Sequence, residues 1–356
     1  MRVKIILLSF LTIGLLSAKC KKEDPTEEQS FDQFALLENY AENSIKPGYE
    51  ALFNDIVALE AAVEIFDADY SETNLISAQE EWLKAYKSFQ RVQMFDFGPA
   101  MNRGLKSALA TYPTDTTKIN ENAQGGFVNL GTADNIDAIG FPALDYLLFD
   151  LSNEKALFKL QNGVNRRAHI LSIIDKMKAE ALAVMSDWQS YEADFVVNGG
   201  TSSTSSLSFL VNEFNKDFEL TKNAKIGIPA GVKSLGITRP EFIEAPYSEK
   251  SLDLALTSIE ALEQMYLGAG GLGFDDWLKI YENSGSELNT RILTAFTQIK
   301  NAAELINDRA FKDVLNTDLQ LAVDLYEKLQ ANVVNIKTDM PALFGIFITY
   351  QDNDGD

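Results

Sequence analysis

The chain has 356 residues, 46% of them hydrophobic, so it can bury a sizeable core and is not a disordered sequence. It carries 52 acidic against 31 basic residues, a formal net charge of −21, which argues against general binding to nucleic acid or to anionic lipid headgroups. Its single cysteine excludes a disulfide within the chain.

Arg2 and Lys4 precede an apolar run from Ile5 to Leu16, followed by Ser17, Ala18 and Cys20. The run has signal-peptide length and is too short for a typical membrane span. Residues 1–19 therefore read as a signal peptide and Cys20 as the acylated N-terminus of a bacterial lipoprotein, although Lys19 stands where such signals prefer a small residue. The alternative is cleavage after Ala18 and a soluble periplasmic protein. Acyl chains at about 0.8 kcal/mol per buried CH₂ would anchor the protein stably. Residues 20–32 are charged and contain Pro25, as a flexible tether does. Lysine then acid after the cysteine resembles the surface-export signal of Bacteroidetes lipoproteins. The expected location is the outer membrane, facing the periplasm or the cell surface.

From there the 3.6-residue period dominates and the fold class is all-α. Ser30-Phe31-Asp32-Gln33 fits a capping box ahead of an amphipathic stretch to Phe66. Ala78 to Phe95 places Trp82, Tyr86, Phe89 and Gln93 at helical spacing. Asp134 to Phe149 is a further candidate, with Pro142 at its start or at a kink. Arg166 to Trp188 carries the cleanest stripe: Ile170, Ile174, Met177, Ala181, Met185 and Trp188. Leu252 to Leu267, Glu287 to Ile306 (opened by a capping box at Ser284) and Phe311 to Ile336 complete the helices. Only Ile346 to Tyr350 hints at extended chain. Gly199 to Ser206 reads as a flexible connection. Gly268 to Gly273, GAGGLG, reads as a hinge and not a phosphate loop, because it lacks the preceding strand and the Lys-Ser/Thr ending. Long helices with short connections pack as antiparallel bundles. Two are expected, over residues 33–162 and 163–356.

The chemistry is bounded by what is missing. With one histidine, His169, neither His-Glu-x-x-His nor a three-histidine zinc site can form. His169 is expected on a helix surface. The acidic end Asp352-Asn353-Asp354-Gly355-Asp356 looks like a calcium loop but stops before a bidentate glutamate could follow, so it reads as solvated chain. Arg91, Arg166, Arg167, Arg239 and Arg291 could anchor planar anions, though such residues more often pair along helix faces. Trp82, Trp188 and Trp277 are expected in the core.

Six segments, in order, resemble the imelysin family of bacterial envelope proteins. They are Ala78 to Ala100 with Phe97-Gly98-Pro99, Thr111 to Asn120, GFPALDYLLF (Gly140 to Phe149), NRRAHILSIIDKM leading to Trp188, Lys225 to Leu252 with KIGIPAG and PEFIEAPYSEKSL, and the C-terminal TDMPALFGIFITYQDNDGD. The resemblance implies two packed four-helix bundles with a site near their interface, a link to iron uptake and a metallopeptidase label. It also marks Gln93, Gly140, Pro142, Asp145, Ser248 and Ser251 as positions of the family's binding site. The family signature is Gly-x-His-x-x-Glu. Here Gly140 matches, Pro142 replaces the histidine, Asp145 replaces the glutamate, and Gln93 stands where an acid is expected. Proline offers no ligand atom, and one carboxylate without its imidazole is a poor transition-metal site.

The expected function is a non-catalytic envelope lipoprotein that binds a ligand or an envelope protein, linked to iron acquisition. A metallopeptidase and a purely structural surface module are the alternatives. No catalytic residue and no cofactor is expected, with iron or another cation left open. The membrane is engaged only through the lipid anchor.

Overall fold

Asp32 opens the first helix by accepting a hydrogen bond from the Ala35 N–H at 3.0 Å, so the cap lies two residues beyond the Ser30 that the sequence suggested. The computed structural model describes residues 31–125, 128–306 and 308–350, which form one compact unit. The signal peptide, Cys20 and the acidic run 352–356 lie outside the described residues.

Helix α1 (Gln33–Tyr40) continues into α2 (Lys46–Ala68) through a π turn at Ala41–Ile45. Pro47 follows that turn. Proline has no N–H to give the preceding turn and its ring crowds the carbonyl four residues back, so a widened turn accommodates it. Ser71 caps α3 (Glu72–Val92), which ends in a 3₁₀ turn at Gln93–Phe95. Short helices α4 (Pro99–Arg103), α5 (Leu105–Ala110) and α6 (Thr116–Asn122) lead to α7 (Gly140–Phe149) and α8 (Asn153–Asn162). Then come α9 (Val164–Val197) and α10 (Ser206–Leu220), the latter running into a second π turn at Thr221–Gly227. The remainder comprises α11 (Ser251–Tyr266), α12 (Phe274–Lys279), α13 (Glu282–Glu304), α14 (Phe311–Thr317), α15 (Leu319–Val333), a third π turn at Val334–Asp339 and α16 (Met340–Phe344). No strand occurs among the described residues. The all-α class is as expected, and Ile346 to Tyr350 pairs with nothing as a ladder.

Several expected boundaries move for local reasons. Residues 134–139 are not part of α7: a 3₁₀ turn at Ala133–Asn135 precedes it, and Pro142 sits in the helix's first turn, where a missing N–H costs nothing. Helix α13 begins at Glu282, so Ser284 is inside it and donates to the Tyr281 carbonyl at 3.2 Å instead of capping. The stretch Phe311 to Ile336 breaks at Asp318, whose φ of −143° and ψ of 43° leave the helical region. GAGGLG is held shut: the Asn39 amide donates to the Gly268 and Leu272 carbonyls at 2.8 and 2.9 Å.

Helix α2 packs most extensively on α3 and α9. Helix α9 also contacts α4, α5 and α7. Helix α3 crosses onto α11, which leads through α13 to α15. The three tryptophans are buried as expected, and Trp82 donates its indole N–H to the Phe141 carbonyl at 3.0 Å. The convergence of α3, α7, α10 and α11 positions the site.

Candidate functional site

Gly140 starts α7 at a φ of +77°, and a Cβ there would lie 2.3 Å from the Leu109 carbonyl oxygen. Only glycine fits. The next residue, Phe141, stacks on Tyr86 with ring centroids 4.5 Å apart. Pro142 is buried in the first turn and presents only its ring. One turn further, Asp145 is fully buried with both oxygens engaged: Oδ2 accepts the Tyr247 N–H at 3.0 Å and Oδ1 the Ser248 N–H at 2.9 Å. Burial pushes the Asp145 carboxyl up to about 7, against the pull of the Ser248 and Tyr247 donors, and the Glu244 charge adds to the rise. The structure thus joins two of the marked positions, Asp145 and Ser248, 103 residues apart in sequence.

Beside this clamp lies a buried polar network that sequence reasoning missed. Glu244 and Lys225 are each 1% exposed, and their ion pair measures 2.5 Å. Glu244 also accepts from the Tyr86 hydroxyl at 2.6 Å and the Gln90 amide at 3.0 Å. The Gln90 Oε1 accepts from Lys225 at 2.9 Å, from Ser258 at 2.7 Å and from Gln93 at 2.9 Å. Gln93, the third marked position brought here, reaches on to Asp217 at 3.4 Å. Asp217 pairs in turn with Lys106 at 3.4 Å. Two carboxylates face two ammonium groups, and the amides carry donors between them. Burial holds the Asp217 carboxyl above its ordinary range, with Lys106 and Lys225 opposing. Tyr86 is raised well above the ordinary phenol by burial and by Glu244, so it stays a donor. No local sequence pattern singles the network out: Asp217 and Lys225 stand among other polar residues such as Asn212, Glu213, Lys216 and Asn223.

The loop that carries Glu244, Tyr247 and Ser248 contains two left-handed residues, Ala245 at φ 49° and Glu249 at φ 62°. Non-glycine residues there cost of order 1–3 kcal/mol each and persist where surrounding contacts dictate them. The loop ends at Ser251, which starts α11 and whose hydroxyl has no hydrogen-bond partner. It lines a cavity of about 470 Å³ together with Tyr247. A second cavity of about 540 Å³ lies among α2, α3 and α11 and is lined by Arg91. The other candidate arginines are occupied: Arg166 with Asp150, Arg167 with Asp67, Arg239 with Glu241 and Arg291 with Asp339. His169 is not on the surface as expected. It is 5% exposed, and burial, helped by Arg166, pushes its imidazole down to about 4, so it is neutral.

These residues do not fit a transition metal. Asp145 already accepts two backbone N–H groups, which have no lone pairs to offer a metal, and an ammonium already sits on Glu244. Among the described residues no group of three or more His, Cys, Asp or Glu side chains is placed to share an ion.

The helical architecture and the Gly140 motif define an imelysin-type protein. The sequence matches the imelysin family, peptidase M75, over residues 45–335, and the chain belongs to that family. It is 22% identical over 153 residues to iron-regulated protein A of Synechococcus elongatus, a match that spans 43% of this chain and 40% of that relative. The fold is similar to that of a putative iron-regulated protein A precursor from Parabacteroides distasonis, with a TM-score of 0.69, 18% identity, and 91% of this chain and 97% of that one covered. It is also similar to an imelysin-like protein from Psychrobacter arcticum, with a TM-score of 0.73, 16% identity, and 89% and 97% covered.

Proposed function

We propose that this chain is a non-catalytic member of the imelysin family that binds a ligand or a partner protein in the bacterial cell envelope, in the service of iron acquisition. One observation carries the non-catalytic reading. At the family's signature the histidine is Pro142, and the remaining carboxylate, Asp145, spends both oxygens on the N–H groups of Tyr247 and Ser248. Hydrolysis of a peptide needs an activated water, and neither a metal ligand set nor a free base stands there to supply it.

The iron link rests on relatives named as iron-regulated protein A. Export is supported by the word precursor in one of those names and by the signal-like residues 1–19, and lipid anchorage by Cys20. The division into two four-helix bundles belongs to the same reading, as does an outer-membrane lipoprotein facing the periplasm or the surface.

The test is a peptidase assay on the purified mature chain with a mixed peptide library, with and without added zinc or iron. No cleavage above buffer is expected. Cleavage that Asp145→Ala abolishes would establish a peptidase and end the proposal.

A further inference from the structure

From Phe195 to Asn212, and again from Met340 to Gln351, no side chain carries a charge, in a chain where 23% of residues do. Hydrogen bonds bring the two runs together. The Asn212 amide donates to the Phe347 carbonyl at 3.1 Å, and the Asn212 Oδ1 accepts from the Thr349 N–H at 2.7 Å. The start of α1 joins them, because the Gly200 N–H donates to the Gln33 Oε1 at 3.0 Å. Three large apolar residues stand out of this end: Phe34 is 56%, Val197 71% and Phe347 82% exposed. The Phe34 ring lies so close to Gly199 that a Cβ there would come within 3.2 Å of it, two residues from Val197. Single exposed apolar residues need no explanation, but a set of them gathered in a charge-free zone marks an interaction surface.

What covers it follows from where the chain leaves and from its charge. Phe31, the first described residue, stacks on Trp277 with ring centroids 5.6 Å apart. Trp277 stacks in turn on Phe344 at 3.9 Å, three residues before Phe347. Eleven residue steps separate Phe31 from Cys20, a reach of at most about 40 Å. Helix α9 has 34 residues, which puts Val164 about 50 Å from Val197. Arg166, at that far end, donates to the Leu147 carbonyl at 3.4 Å, so the signature helix α7 belongs there. With the signature end on the membrane, Phe31 would stand farther from the bilayer than a lipid on Cys20 can follow. With the Phe347 end down, the reach is ample. Acids flank the patch at Asp32, Asp194 and Asp352, which suits zwitterionic headgroups and disfavours anionic ones.

We propose that this end of the molecule rests on a zwitterionic phospholipid bilayer. Phe34, Val197 and Phe347 enter the headgroup region, α9 rises from it, and the signature end faces away. The contact goes beyond the lipid anchor, and it rests on the proposed acylation of Cys20.

Because the chain has one cysteine, the mature protein can be joined through Cys20 to a maleimide lipid in phosphatidylcholine vesicles, whether or not the cell acylates it. Val197→Trp and Val164→Trp then place a reporter at either end of α9, both at exposed positions. Phosphatidylcholine with brominated acyl chains quenches by contact, and the parent chain gives the baseline of the three native tryptophans. Most of the emission added at residue 197 should be lost, and none of that added at residue 164. Phe34→Glu with Phe347→Glu should restore the emission at residue 197 and keep the thermal midpoint, since both side chains are exposed. Equal quenching at both ends, quenching at neither, or quenching at residue 197 that survives the double glutamate variant would overturn the proposal. So would sedimentation of the untethered chain as a dimer that Phe347→Glu dissociates, which would give the face to a second copy. Absence of fatty-acid label on the exported chain would instead end the lipoprotein reading, a failure that the vesicle assay does not share.

Discussion

Replacing Lys225 by methionine isolates the buried ion pair. The substitution keeps an unbranched chain of similar length and removes the ammonium that touches Glu244 at 2.5 Å and Gln90 at 2.9 Å. Glu244 would keep its bonds from Tyr86 and Gln90 but lose its ion-pair partner with only 1% of its surface exposed. Breaking a buried pair from one side costs about 3–5 kcal/mol, because a charge is left without its partner. With a urea slope of about 3 kcal/mol/M, suited to a large unit, the midpoint should fall by about 1–1.7 M. The double variant with Glu244→Gln should recover much of that loss, since a neutral amide can accept from Tyr86 and donate to Gln90. Equilibrium urea unfolding followed by far-ultraviolet circular dichroism reads both. A loss under about 1 kcal/mol for the single variant, or strictly additive single and double variants, would mean that the pair is solvated and the network does not couple α3 to the loop.

Three further outcomes follow from named contacts. Asp145 has a carboxyl near 7 in the fold against an ordinary value of 3.8, so between those values the native state holds a proton that the unfolded chain has released. Stability should therefore fall as pH rises from about 4 to about 7, by roughly 4 kcal/mol at most, and Asp145→Asn should flatten that slope in urea unfolding across pH 5 to 8. Gly140→Ala forces a side chain into a φ of +77° and onto the Leu109 carbonyl, so it should cost more than about 2 kcal/mol in thermal unfolding or remove soluble protein altogether. Cys20→Ala should release the exported chain from the membrane fraction and abolish incorporation of labelled fatty acid, whereas unchanged membrane association would count against the lipid anchor.

How far the sequence carried depends on what each feature required. The α9 stripe from Ile170 to Trp188 is a one-helix property, and the helix extends beyond it on both sides to Val164 and Val197. Pro142 at the start of α7 followed from its missing N–H. Breaks that depend on tertiary packing were not legible: Asp318 divides α14 from α15, and the π turn before Pro47 preserves a helix that the proline should have ended. His169 was misplaced because a neutral imidazole can be buried as readily as exposed, and nothing local distinguishes the two. The family resemblance drew attention to Gly140, Pro142, Asp145 and Ser248, of which Asp145 and Ser248 meet through a hydrogen bond. The Lys225–Glu244 pair was not, because 52 acids and 31 bases offer too many pairs for spacing to single out one. Burial, which makes that pair costly to break, is set by α3, α10 and α11 closing together.

The central claim is that the signature position is closed to a metal by its own hydrogen bonds. Crystals of the mature chain soaked separately in iron and zinc, with anomalous maps collected at each absorption edge, test it most directly. The account predicts no anomalous peak within coordination distance of Asp145 and an unbroken pair of N–H contacts from Tyr247 and Ser248. An ordered ion bound directly to the Asp145 oxygens, with the loop drawn back to admit it, would contradict it.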